Sequence, residues 1–106
     1  MSASAAPEPI VCSLDPAGQV ERAGEWRALM ASWVVALESD ATSVHLVLEP
    51  SDDALAAAAR LGQREKACCR FFDVTVELEA ERRVLTMRVP AGAEEVLASF
   101  VAVLRS

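Results

Sequence analysis

The residues best suited to chemistry in this sequence are two adjacent cysteines, Cys68 and Cys69, in the segment REKACCRFF. Glu65 stands three and four positions before them, which is the spacing of neighbours on one side of a helix. Thiolates bind soft ions such as Hg(II), As(III), Cu(I) and Zn(II). A nearby carboxylate can serve as a further ligand or accept a thiol proton. The segment therefore indicates a candidate site for a thiophilic metal or metalloid ion.

The third cysteine, Cys12, lies in the segment IVCSL, whose β-branched start predicts a strand over 10–14. Alternation along such a strand places Cys12 on the core face, beneath the helices. We therefore expect Cys12 to face the same layer as the two adjacent cysteines. Three thiolates then form a trigonal set, and a carboxylate supplies the fourth ligand that zinc prefers. The predicted ion ligands are Cys12, Glu65, Cys68 and Cys69.

Glu65 is expected to be buried, because the helix predicted over 51–69 places it in the middle of the apolar stripe. A charged group there is costly unless it is paired, protonated or bound to an ion. Arg64 and Arg27 are the candidate ion-pair partners. A buried carboxylate carries a desolvation cost that leucine lacks, so the sequence predicts that the fold tolerates Glu65→Leu.

Two other hypotheses account for the cysteines. Cysteine is often buried as a small apolar residue, so the chain can be a small interaction or regulatory domain with structural cysteines. A thiol-based redox protein is the third hypothesis, but Cys68 and Cys69 sit near a helix C-terminus beside a carboxylate, and both features disfavour a thiolate. The sequence has no phosphate-binding loop, paired catalytic carboxylates or Ser/His/Asp set. It therefore favours a binding protein over an enzyme.

The apolar periodicity predicts the elements that must position these residues. The predicted strands cover 10–14, 43–50 and a pair within 72–90, and the predicted helices cover 16–38, 51–69 and 91–105. The order β-α-β-α-β-β-α, with one polar face on the strands, predicts an α+β two-layer sandwich. Its four-stranded sheet is mainly antiparallel, with the helices on one face. Residues expected beneath the helices are Val44, Leu46, Val76, Leu78, Leu85 and Met87. Residues expected on the opposite face, away from the thiols, are His45, Glu77 and Arg88.

The composition sets the class of protein and its partners. The chain has 106 residues, which suits one domain over 10–106 after a flexible tail over 1–9. The net charge of −6 argues against nucleic acid and anionic membrane surfaces as partners. The sequence shows neither a signal peptide nor an apolar run long enough to span a bilayer, so we expect a cytoplasmic protein with reduced thiols. Val47 and Val84 on the exposed sheet face suggest a homodimer through that face, although a solvated face fits equally well.

The segment LGQREKACCRFFDVTVEL resembles a family of short, mostly uncharacterised bacterial proteins. In that family a helix ends in E-x-x-C-C-x-F, and a strand hairpin follows. The residues matching the motif are Glu65, Cys68, Cys69 and Phe71. Cys12 resembles an early cysteine that these proteins often carry, so the resemblance covers most of the chain from about Ile10. The chain departs from the family at Arg70, where the family commonly has proline. The resemblance implies a setting in mercury or arsenic resistance, without an established activity.

Overall fold

The computed structural model describes residues 12–106, which fold in the order α-β-β-α-β-β-α. The elements are α1 (Pro16–Trp33), β1 (Val34–Ser39), β2 (Ser43–Leu48), α2 (Asp52–Cys68), β3 (Asp73–Leu78), β4 (Arg83–Arg88) and α3 (Glu94–Arg105). The predicted α+β class and four-stranded antiparallel sheet are confirmed. The predicted tail over 1–9 lies outside the described residues.

The sheet has the order β1-β2-β4-β3, so two hairpins join along β2 and β4. In the central pair, Val44 lies opposite Met87 and Leu46 lies opposite Leu85, and all four are fully buried. These side chains form one core cluster with residues from all three helices. The three helices therefore cover this face of the sheet and form the second layer.

The first strand is where the sequence prediction was wrong. Residues 12–14 form no strand, and Ile10 and Val11 lie outside the described residues. The strand that completes the sheet is β1, which was predicted as the end of the first helix. Helix α1 begins as predicted, with Asp15 accepting a hydrogen bond from the amide of Gly18 at 2.7 Å, but it ends at Trp33.

Local chemistry explains why the chain changes from helix to strand at this point. Val34 and Val35 are β-branched, which favours extended backbone. A tight turn follows, in which the Asp40 carboxylate accepts hydrogen bonds from the amides of Thr42 and Ser43 at 3.0 and 2.9 Å. This Asx-type turn lets β1 fold back on β2. Pairing with β2 then outweighs the helical spacing of the apolar residues that predicted a longer helix.

The outer strand β3 is less covered than the alternation predicted. Val76 is 39% exposed and Leu78 is 69% exposed, so their predicted burial was wrong. Helix α2 lies against the beginning of β3, where a Cβ atom on Gly62 would come within 3.0 Å of Val74 Cγ1. The absence of a side chain at Gly62 permits this close approach. The end of this edge strand extends beyond the helix layer.

Within residues 12–106, no helix is long and apolar enough to cross a membrane. His45 lies on the open face of the sheet as predicted, since its ring is bonded to Thr86, outside the apolar core cluster. The homodimer through this face stays a prediction. Val84, which suggested it, is only 2% exposed.

Candidate metal centre

The last turn of α2 carries Glu65, Cys68 and Cys69. The helix ends at Cys68, and Cys69 is its C-terminal cap, with φ −123° and ψ 77°. The Cys69 amide still donates to the Glu65 carbonyl at 2.7 Å. Adjacent residues in a regular helix point about 100° apart. Because the backbone leaves the helical conformation at Cys69, the two Sγ atoms instead lie 3.6 Å apart.

Cys12 reaches the same place from the chain segment before α1. The amide of Ser13 donates to the carbonyl of Cys68 at 2.9 Å, which ties this segment to the end of α2. The Sγ atoms of Cys12 and Cys68 are 3.9 Å apart across 56 positions of sequence. The predicted convergence of the three thiols is therefore present, but Cys12 reaches it by direct contact with the helix end and not as part of a strand.

Glu65 is buried as predicted, with 5% of its surface exposed. Its Oε1 atom accepts a hydrogen bond from Trp26 Nε1 at 2.7 Å and an ion-paired one from Arg22 Nη1 at 3.4 Å. Its Oε2 atom lies 3.9 Å from Cys68 Sγ. The predicted partners were wrong, because Arg64 binds Glu25 at 2.6 Å and Arg22 takes its place beside Glu65.

Arg22 and Trp26 are the site residues that the sequence prediction missed. They stand four positions apart on α1, which puts both on the side facing the end of α2. Arg22 Nη1 lies 3.3 Å from Cys68 Sγ, so one guanidinium contacts both the thiol and the carboxylate. Burial alone would lower the pKa of Arg22, but Cys68 and Glu65 together raise it above its usual value. The guanidinium therefore stays positively charged beside the sulfurs.

The two adjacent thiols are protonated at neutral pH in the absence of an ion. Burial is the largest cause that raises the pKa of Cys69, and the neighbouring thiols and Glu65 raise it further. Burial is also the largest cause that raises the pKa of Cys68. Electrostatic interaction with Glu65 and Cys12 raises it further, against the lowering effect of hydrogen bonds with Cys69 and Arg22. A reactive cysteine needs a lowered pKa. The electrostatics therefore argue against an activated nucleophile.

The thiol cluster, defined as Cys12, Glu65, Cys68 and Cys69, can hold an ion. One ligand atom from each residue lies within 4.8 Å of all the others. A metal–thiolate bond of about 2.3 Å places the sulfurs of a trigonal complex about 4 Å apart. The observed separations of 3.6 and 3.9 Å are close to that value. In the described part of the chain, no other group of three or more His, Cys, Asp or Glu residues converges in this way.

Comparison of the chain with known proteins gives no relative from which a function can be transferred: no family model, curated protein or solved structure matches it. The geometry of the thiol cluster is therefore the basis for the function proposed below.

Proposed function

We propose that this protein binds a thiophilic metal or metalloid ion through Cys12, Cys68 and Cys69, with Glu65 as auxiliary ligand or proton acceptor. The observation that supports this most strongly is the approach of Cys12 to within 3.9 Å of Cys68 from 56 positions away. Two adjacent thiols can meet by local geometry alone. A third thiol at the same point completes a set of three sulfur ligands, the type that soft ions prefer, and a buried carboxylate lies beside them.

The balance of charge favours a trivalent ion bound by three thiolates. Glu65 is already paired with Arg22, so this pair adds no net charge to the site. As(III) with three thiolates is neutral, and a neutral complex has the smallest desolvation cost in a largely buried position. Arsenous acid can also react directly with protonated thiols. Each of its three hydroxides combines with one thiol proton and leaves as water. Hg(II), Cu(I) and Zn(II) fit the same donors with a different net charge.

The biological setting is part of this proposal. The E-x-x-C-C-x-F resemblance supports a role in mercury or arsenic resistance. Reduced thiols are needed for binding, which supports a function in the cytoplasm, where cysteines are kept reduced. A binding role also agrees with the protonated state of Cys68 and Cys69, which is unsuited to thiol catalysis.

Native mass spectrometry of the reduced protein with arsenite, and separately with Hg(II), tests the proposal. We expect one ion per chain, and protection of the three thiols from a thiol reagent only when the ion is present. Cys68→Ser/Cys69→Ser should show neither result. His45→Gln serves as the control, because it removes a metal-binding side chain from the opposite face of the sheet and should bind the ion like wild type.

The hypothesis of structural cysteines makes the opposite prediction for the same measurements. Buried structural thiols react slowly whether or not an ion is present, and the serine variants then lose stability without losing any binding. Equal ion uptake by wild type and the double serine variant would refute the proposed function.

A further inference from the structure

A mostly apolar pocket opens directly beside the thiol cluster. It has a volume of about 160 Å³, and Cys12 and Glu65 form part of its wall. Apolar side chains from the N-terminal segment, α1 and α3 form most of the rest: Leu14, Ala23, Trp26, Phe100 and Val103. The rings of Trp26 and Phe100 meet edge to face with centroids 5.1 Å apart, which makes one side of the pocket a rigid aromatic surface.

This pocket has no role in binding a bare ion. An ion held by the three sulfurs contacts only the ligand atoms, and apolar walls next to it add nothing to its coordination. The pocket is large enough for an aromatic ring, because an apolar cavity of about 150 Å³ is known to hold benzene. Because Cys12 forms part of its wall, the pocket adjoins the place that the Cys12 sulfur would take on an arsenic atom bound by Cys68 and Cys69.

We infer that the preferred ligand is a monosubstituted organic arsenical, R–As(III), whose organic group R occupies this pocket. This inference rests on the proposed function and specifies the class of ligand. The arsenic atom forms two bonds to sulfur, with Cys68 and Cys69, whose Sγ atoms are 3.6 Å apart. The carbon substituent replaces the Cys12 sulfur as the third neighbour of arsenic and points into the pocket.

The binding step involves no change of oxidation state. For phenylarsine oxide, two As–S bonds form and the bond between arsenic and oxygen breaks. The two thiol protons leave with that oxygen as one molecule of water, and arsenic remains trivalent. The product, with two thiolates and one carbon on arsenic, is neutral and suits a site whose remaining charges, Glu65 and Arg22, already balance.

Arsenite and phenylarsine oxide are the two probes that test this inference. Ala23→Leu adds bulk to the pocket wall from α1, and Val103→Phe adds bulk to it from α3. We expect each variant to weaken phenylarsine oxide binding by roughly 10- to 50-fold, which corresponds to burying most of a phenyl ring. Arsenite binding should change by less than about threefold, since its complex has no organic group. Ala28→Leu adds the same carbons to an exposed position of α1 and should change neither affinity.

The outcomes separate this inference from the proposed function. If wild type binds neither arsenite nor phenylarsine oxide, the proposed function fails and the inference fails with it. Suppose that wild type binds both probes, but that Ala23→Leu and Val103→Phe weaken the binding of neither probe or of both probes equally. Only the inference is then overturned. Contacts between the phenyl protons and Phe100 or Val103, measured by NMR on the wild-type complex, provide a readout that does not depend on the variants folding. Absence of these contacts in the bound complex also overturns the inference.

Discussion

Two groups of polar side chains differ in how their polar atoms are paired. One is the thiol cluster in the helix layer, and the other is a row of polar side chains on the open face of the sheet. We call the second group the polar row; it comprises Asp40, Ser43, His45, Glu77 and Thr86. The hydroxyl of Ser43 lies 2.9 Å from Asp40 and 3.3 Å from the His45 ring. The His45 ring in turn lies 2.9 Å from the hydroxyl of Thr86, which is 3.4 Å from Glu77. Each hydroxyl therefore lies between two polar neighbours.

Within the thiol cluster, the sulfurs have weaker partners in one another. A thiol is a poor donor and a poor acceptor of hydrogen bonds, so contacts of 3.6 and 3.9 Å between sulfurs contribute little to stability. An ion that binds all three sulfurs replaces these weak contacts with strong bonds. Convergence of titratable side chains thus indicates binding only where the converging atoms do not already satisfy one another with strong hydrogen bonds. On this criterion the polar row is structural, and the thiol cluster is the candidate binding site.

The largest effect expected from this difference is stabilisation by arsenite. At a free concentration about 1,000 times Kd, a ligand that binds only the folded state adds about 4 kcal/mol to the free energy of unfolding. We expect the melting temperature of wild type to rise by more than about 10 °C, as measured by circular dichroism. Cys68→Ser should lose most of this rise, and Cys68→Ser/Cys69→Ser little more, because the ligands act as a unit.

Thr86→Val, in the polar row, is the control for this experiment and should keep the full rise in melting temperature with arsenite. Cys12→Ser tests how far the third thiol contributes to the site. A rise in the double serine variant as large as that in wild type would remove the distinction between the two regions.

The next largest effect concerns the buried carboxylate. Glu65→Leu leaves the buried indole N–H of Trp26 without its acceptor and Arg22 without one of its two carboxylate partners. We expect a loss of about 2 to 4 kcal/mol in the free energy of unfolding, measured by urea denaturation. The sequence predicts that the fold tolerates Glu65→Leu, but the structure leads us to expect the opposite. The cost of burying the Glu65 carboxylate is already offset by two hydrogen-bond donors, Trp26 and Arg22.

Glu77→Leu provides the matched change in the polar row. Glu77 is exposed, and its removal should alter stability by less than about 0.5 kcal/mol. Glu65→Gln keeps an acceptor for Trp26 and should lose less stability than Glu65→Leu. If Glu65→Leu is as stable as wild type, the contacts with Trp26 and Arg22 do not stabilise the fold.

The alkaline pH dependence of the ion-free protein should differ between the two regions. The thiol pKa values of Cys68 and Cys69 are raised in the folded state, so these thiols ionise at lower pH when the chain unfolds. Their contribution to stability is complete below the unfolded-state pKa of about 8.5 and is lost as the pH rises through the folded-state values. We expect unfolding free energies to fall by roughly 1 to 2 kcal/mol between pH 8.5 and 10.

Urea denaturation at a series of pH values measures this slope. Cys68→Ser/Cys69→Ser should flatten it, because serine does not ionise in this range. His45→Gln removes no thiol and should leave the slope of wild type unchanged. An equally steep slope in the double serine variant would show that other groups cause the alkaline loss.

The smallest expected effect lies in the polar row itself. Thr86 is fully buried, and its hydroxyl is bonded to His45. Thr86→Val keeps the shape of the side chain and removes that hydrogen bond, so we expect a loss of about 1 kcal/mol in the free energy of unfolding. A loss above about 3 kcal/mol would show that the polar row is more tightly coupled to the core than its contacts indicate.

Features that depend on local spacing could be predicted from the amino-acid sequence alone. Helical periodicity places Glu65 on the buried side of α2, and i+3 and i+4 positions bring Cys68 and Cys69 next to it. Strand alternation assigns His45 to the open face and Leu46 to the core. The α+β class follows from the same two periodicities, because each element must bury its apolar side against another layer.

Features that join distant segments depend instead on how the helices and strands pack together. No local pattern states that the Ser13 amide donates to Cys68, yet this hydrogen bond brings Cys12 to the other two thiols. The pairing of Glu65 with Arg22 and Trp26 likewise depends on how α1 packs across α2. The change from helix to strand after Trp33 follows the same rule. A short segment with mixed propensity takes the conformation that its partner strand stabilises, and here that partner is β2.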